Sequence, residues 1–289
     1  MLHPSAATAQ TGPTTAFASI NDLDLHYLDW GGSSSRHTIV LCHGGSAHCR
    51  WWDEVAPQLT GCGRVIALDF RGHGRSQWAA AYGLAAYLND LIVFLREHLN
   101  TKVILAGHSM GGEIAMRAAV DHPELIEALV IVDARNKGLP LKTRLLWRWK
   151  RRNQGDGPRP EFSSREALIA RFRLSPPGHN LTPEGLAALA VKGAEQLPNG
   201  NWAFCFDPKT RKLTPGWRKL LNYRVQDIQM PVLILRGEHS GLITPRQAGR
   251  MHRRIGGSVL KTIPSAYHHV PLDNPDATAA AIAEFVDSL

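Results

Sequence analysis

Val103-Ile104-Leu105-Ala106-Gly107-His108-Ser109-Met110-Gly111-Gly112 is the stretch on which the fold turns. Four apolar residues run into Gly-x-Ser-x-Gly, and a helical pattern takes over across 112 to 121. A strand that passes into a helix through one tight turn sets the serine at its apex, and glycines two positions to either side let the backbone pass without steric conflict. Outward from this turn, short apolar runs alternate with amphipathic stretches, the pattern of an α/β protein with a mostly parallel sheet flanked by helices. Strands are expected at 16 to 20 and 24 to 29 as a leading antiparallel hairpin, then at 38 to 42, 65 to 69, 103 to 106, 128 to 133, 232 to 235 and 258 to 263, eight in all. Helical periodicity is clearest over 84 to 99, 112 to 121 and 276 to 288.

The alternation stops between about 135 and 228, where Trp, Arg, Pro and Gly crowd a segment without convincing strands. It reads as a mainly helical insertion after the sixth strand. Met230-Pro231 followed by Val232-Leu233-Ile234-Leu235 marks re-entry into the sheet, because the residue before a proline favours extended backbone. The expected organisation is a disordered leader over 1–15, a core over 16–134 and 229–289, and the insertion over 135–228. The net charge of +8 is unevenly placed: residues 135–225 carry 19 Lys or Arg against 6 Asp or Glu, net +13, and the remainder is net −5. Leu141 to Arg152 reads as an amphipathic helix with aromatic and basic faces, Trp147 among them.

The turn matters chemically because a serine hydroxyl is a weak nucleophile until an imidazole takes its proton, and because a helix starting just beyond Ser109 aims its N-terminal dipole at an oxyanion forming there. Here the chain resembles the α/β-hydrolase family, from about residue 16 to 289 apart from the insertion. His43-Gly44-Gly45 follows the third strand, where such enzymes place an oxyanion loop, and by that match the N–H groups of Gly45 and Met110 hold the oxyanion. Asp69-Phe70-Arg71-Gly72-His73-Gly74-Arg75-Ser76 is similar to the family's turn after the fourth strand, read here as structural. Tyr267-His268-His269-Val270-Pro271-Leu272-Asp273-Asn274-Pro275 is similar to its histidine loop, with Tyr267 where a glycine is usual, and its register makes His268 the base and His269 an exposed neighbour.

The acid departs from the family's pattern. An Asp usually stands two residues after the glycine ending the seventh strand, whereas Arg236-Gly237-Glu238-His239-Ser240 puts His239 there, and an imidazole cannot orient another as a carboxylate does. Asp133 at the end of the sixth strand and Glu238 beside the vacant position are the two replacements. Asp133 is preferred because neighbouring residues at a strand end face opposite ways.

The resemblance implies a serine esterase working through an acyl-enzyme, with the insertion as a cap in which Trp147, together with Gly44 and His108 beside the turn, binds a small acyl substrate. The basic cap favours an acidic one. Lactonase, thioesterase and carbon–carbon hydrolase chemistry share the same triad, and a weakly catalytic ligand-binding homologue is the contrasting reading. No phosphate-binding loop, dinucleotide fingerprint or metal-ligand spacing occurs, so no cofactor and no metal are expected. Four cysteines without a CxxC pair, no secretory h-region and no apolar run of membrane length point to a cytoplasmic protein that does not bind nucleic acid, with a membrane surface as the less favoured partner. Oligomeric state has no signature in the sequence.

Overall fold

The structure, a computed structural model, describes residues 12–32, 36–136, 157–211 and 223–289. Trp147 and the basic stretch around it lie outside these residues, as do residues 1–11. Eight strands form one sheet: β1 (Thr14–Ile20), β2 (Leu23–Asp29), β3 (His37–Cys42), β4 (Gly63–Leu68), β5 (Val103–His108), β6 (Ile126–Val132), β9 (Val232–Gly237) and β10 (Val259–Ile263), in the spatial order β1-β2-β4-β3-β5-β6-β9-β10. β1 and β2 pair antiparallel through Asn21 and Asp22, both at positive φ as a two-residue hairpin turn requires. β2 also runs antiparallel to β4, and the remaining pairs are parallel. β1 opens at Thr14, inside the stretch expected to be leader, because its first residues still pair with Asp29 and Leu28.

The parallel strands are covered on both faces, which is why they read as unbroken apolar runs. Val40, Ile66, Leu105, Leu129 and Ile131 face α1 (Leu84–Val93), its π-helical continuation to Leu99, and α2 (Met110–Asp121). Ile39, Leu41, Val65, Ile104 and Val130 face the opposite way. There they meet Trp52, Leu59 and the C-terminal helix (Pro275–Asp287).

Between β6 and β9 the described part of the insertion holds α3 (Arg165–Arg171), α4 (Pro183–Lys192) and, against expectation, an antiparallel hairpin of β7 (Ala194–Gln196) and β8 (Trp202–Phe204). Its turn is local chemistry: Leu197 and Asn201 bond across Pro198-Asn199-Gly200, with Gly200 at φ +86°. Such short strands escape a search for apolar alternation, although Asn199-Gly200 is a turn signal.

The chain runs from β3 outward to β4 and then crosses back past β3 to β5. The crevice at the carboxyl ends of β3 and β5 is therefore the switch point of the sheet, where open α/β folds bind ligands.

Candidate active site

Ser109 sits in that crevice between β5 and α2 at φ +52°, ψ −114°, a conformation rare for a non-glycine residue and held by the elements it joins. Its N–H donates to the Val132 carbonyl (3.0 Å) and its own carbonyl accepts from Glu113 (3.0 Å). The flanking glycines serve approach rather than φ. A Cβ on Gly111 would lie 2.6 Å from the Cys42 carbonyl oxygen, and one on Gly107 would strike the first turn of α2. α2 can thus start directly against the end of β3, bringing Ser109 beside Gly44.

His268 reaches the site from the loop after β10. Its Nε2 lies 3.1 Å from Ser109 Oγ and its Nδ1 2.7 Å from Asp133 Oδ2. Gly237 makes room for the loop, since a Cβ there would strike the Tyr267 carbonyl. Asp273 accepts from the Tyr267 N–H (2.9 Å), and this explains the acidic residue after the histidine. His269 is buried, contrary to its expected exposure, with Nε2 donating to the Pro176 carbonyl of the insertion (2.9 Å).

Of the two candidate acids only Asp133 meets His268. Asp133 directly follows β6 at φ +43°, fully buried, with Oδ1 accepting from the Gly237 N–H (3.2 Å) and Oδ2 from Ser240 Oγ (2.6 Å). Glu238 faces away: half exposed, it accepts from the Ser265 N–H (2.8 Å) and lies 3.8 Å from His239. Ser240 is the residue the sequence did not disclose. Its hydroxyl donates to Asp133 while accepting from the N–H groups of Leu242 and Ile243 (both 3.2 Å), so the loop that lacks the usual acid supports the relocated one.

Burial pushes the Asp133 carboxyl up to about 6 against the bonds from Ser240 and Gly237, and holds the His268 imidazole down at about 4. At neutral pH the pair is a carboxylate beside a neutral imidazole, the state a general base needs.

Gly45 lies over the first turn of α2, where a Cβ would stand 3.7 Å from Met110 Sδ. Met110 opens the helix, so its N–H has no intrahelical acceptor. The Gly44 carbonyl accepts from His43 Nδ1 (2.7 Å), while His43 Nε2 accepts from the Phe70 N–H (3.1 Å), and burial keeps this ring neutral. Because a trans peptide points its N–H opposite to its carbonyl, that bond fixes the direction of the Gly45 N–H. The turn after β4 braces the same loop: Asp69 accepts from the Cys49 N–H (2.6 Å) and from His26 (2.7 Å), and His73 Nε2 accepts from the Ser46 N–H (3.2 Å).

His108, expected to touch substrate, does not reach an accessible surface. It is 2% exposed, its Nε2 donates to the His268 carbonyl (2.9 Å), and Trp51 stacks on its ring at 5.9 Å. The last residue of β5 points into the histidine loop and fixes it. Gly44 is buried against His108 and Ser109, while Trp147 lies outside the described residues.

Among the described residues, two clusters offer three possible metal-ligating atoms each, His108 with His268 and His269, and His26 with Cys49 and Asp69. Hydrogen bonds engage both ring nitrogens of His268, but only one each of His108, His269 and His26; His108 Nδ1, His269 Nδ1 and His26 Nε2 are buried with no hydrogen-bond partner among the described residues.

Known proteins resemble this chain over most of its length. The chain is 27% identical over 281 residues to esterase Rv0045c of Mycobacterium tuberculosis, covering 96% of this chain and 91% of that one. It is 26% identical over 253 residues to 2-(acetamidomethylene)succinate hydrolase of Mesorhizobium japonicum, covering 86% and 88%. A solved alpha/beta hydrolase from Novosphingobium aromaticivorans superposes with a TM-score of 0.78 at 25% identity, covering 96% of this chain and 99% of that one. With the elbow, sheet order and crevice in place, and the alpha/beta hydrolase family model matching residues 39–281, the chain belongs to the alpha/beta hydrolase family.

Proposed function

We propose that this protein is a serine hydrolase that cleaves carboxylic esters through an acyl-enzyme. The carrying observation is the hydrogen-bond chain from Ser109 through His268 to Asp133. Ser109 Oγ attacks the ester carbonyl as its proton passes to His268 Nε2. Asp133 holds the Nδ1–H tautomer and offsets the charge of the imidazolium. The N–H groups of Gly45 and Met110 hold the tetrahedral oxyanion. His268 then protonates the leaving alcohol, and water repeats the sequence on the acyl-enzyme. Glu238 takes no part.

Residues 135–228 act in this reading as a cap that selects a small acyl substrate. Support comes from its ties to both sides of the crevice: the Asp207 N–H donates to the Gly72 carbonyl (2.9 Å), and the Asn180 N–H donates to Asp273 (2.9 Å) beside the histidine loop. The relatives' printed activities, ester hydrolysis and hydrolysis of a succinate derivative, fit an acidic small molecule. Cys42, Cys49, Cys62 and Cys205 are all free thiols, which suits a reducing cytoplasm.

The test is p-nitrophenyl butyrate hydrolysis. Ser109→Ala falls to background, Asp133→Asn loses about 10⁴-fold in kcat, and Glu238→Gln stays at wild-type rate. Collapse of the Glu238 variant with an active Asp133 variant would overturn the acid assignment. A wild-type rate equal to that of Ser109→Ala across acyl chain lengths would overturn the esterase reading.

A further inference from the structure

A cavity of about 150 Å³ opens where β6 leaves the sheet, between the residues after Asp133 and α5 (Pro245–Arg254). The α5 side is the stripe Gln247, Arg250, Met251 and Arg254, spaced i, i+3, i+4, i+7 and therefore on one helix face. Such a face turned toward a neighbouring element is ordinarily apolar. Here two exposed arginines flank a single buried methionine, and Arg135 and Asn136 line the side across the gap.

No carboxylate lines the cavity among the described residues, and none of the three arginines makes an ion pair there. The charge of Glu113 on α2 acts on Arg135, although Glu113 is not among the described lining residues. Burial lowers the pKa of Arg135, a sign that its charge is partly stripped of water, and the Glu113 carboxylate offsets only part of that effect. Three arginines lining one cavity supply guanidinium donors of the kind that grip carboxylate or phosphate oxygens in bidentate fashion.

We propose that this cavity is a binding site for a small oxyanion, a carboxylate or phosphate group. The site sits close to the catalytic crevice. Ala134 in its wall packs directly on Gly112, one helical turn from Ser109, and Ile243 in its wall donates its N–H to Ser240, the support of Asp133. The anion belongs either to the ester substrate itself or to a free metabolite bound beside the crevice. The first alternative rests on the hydrolase reading above, and the second does not.

The experiment uses the full chain as wild type and as the Arg250→Gln/Arg254→Gln double variant. Inorganic phosphate and succinate are titrated at constant ionic strength, with binding read by calorimetry and by the shift in thermal midpoint. Saturable binding to wild type that weakens at least tenfold in the double variant is expected, with partial recovery in Arg250→Lys/Arg254→Lys. Equal or non-saturating responses in wild type and the Gln variant would overturn the site.

A kinetic arm compares p-nitrophenyl hydrogen succinate with p-nitrophenyl butyrate. A tenfold rise in KM for the anionic ester alone assigns the site to the substrate's own carboxylate. Unchanged kinetics alongside lost anion binding assign it to a free anion. Absence of turnover of both esters by wild type would sink the hydrolase reading and leave the binding result standing.

Discussion

At the residue scale, Asp133 Oδ2 accepts from both Ser240 Oγ and His268 Nδ1, so the serine shares the work of holding the carboxylate in place and in its ionised form. Ser240→Ala removes one hydrogen bond to a charged group, worth about 1.5 kcal/mol or roughly tenfold in kcat/KM. The same loss favours the neutral carboxyl and moves its titration upward. In wild type, burial raises Asp133 to about 6 and lowers His268 to about 4, so as pH falls the pair takes up its first proton near pH 6 and leaves the carboxylate–neutral imidazole state that a general base needs. The pH profile of kcat/KM for a neutral ester should be level from pH 8 to about 7 and fall with an acid limb near 6, and Ser240→Ala should shift that limb higher with the thermal midpoint little changed. An acid limb unmoved by the substitution would show that Ser240 does not tune the acid.

At the element scale, two glycines in helices separate the need for close approach from simple helix propensity. A methyl on Gly111 in the first turn of α2 meets the carbonyl oxygens of Cys42 and His43 at 2.6 and 2.7 Å, backbone atoms that cannot yield without moving β3. A methyl on Gly249 in α5 meets only Arg253 Nη1 at 3.5 Å, an ordinary contact with a mobile side chain. Gly111→Ala should therefore lose about 1–3 kcal/mol of stability together with activity, whereas Gly249→Ala should gain about 0.5–1 kcal/mol. Urea denaturation of the two variants checks both signs. The elements themselves were legible because β3, β5, β6 and β9 are buried on both faces and announce themselves as apolar runs. The β7–β8 hairpin was not, since three-residue strands carry too little pattern.

At the scale of the whole molecule, the crevice is ringed by buried imidazoles. Burial lowers His43 to about 3 and His48, His73, His268 and His269 to about 4, which keeps each neutral in the fold. A depressed folded-state pKa means that the unfolded chain binds more protons at acid pH. The stability these groups confer is present in full above about pH 6.5 and is lost as pH falls through about 4. Asp133 acts in the opposite sense, because its raised pKa favours the fold below its unfolded value and that contribution disappears as pH rises toward 6. His108 is lowered by burial as well, and these histidines outnumber the two raised carboxyls, Asp133 and Asp273, and set the sign: the urea midpoint should drop steadily between pH 6.5 and 4. A midpoint unchanged across that window would mean that the buried rings take up protons without unfolding.

Strand order along the chain, the elbow at Ser109 and the loop of His268 were all determined by the sequence alone, because each rests on local pattern: apolar runs, glycines at fixed offsets, a histidine in register. The carboxylate that completes the chain of hydrogen bonds was narrowed to Asp133 and Glu238, and only the tertiary structure separated them. Asp133 and His268 stand 135 positions apart and meet because β6 and β10 flank β9, while Glu238 turns outward one residue beyond β9. Ser240 beneath the acid, His108 fixing the histidine loop, and Arg135 lining one cavity with Arg250 and Arg254 are likewise decided by the packing of distant segments. Spacing along a chain encodes which face a residue occupies, but the distance across a sheet edge is set by the strands that lie between.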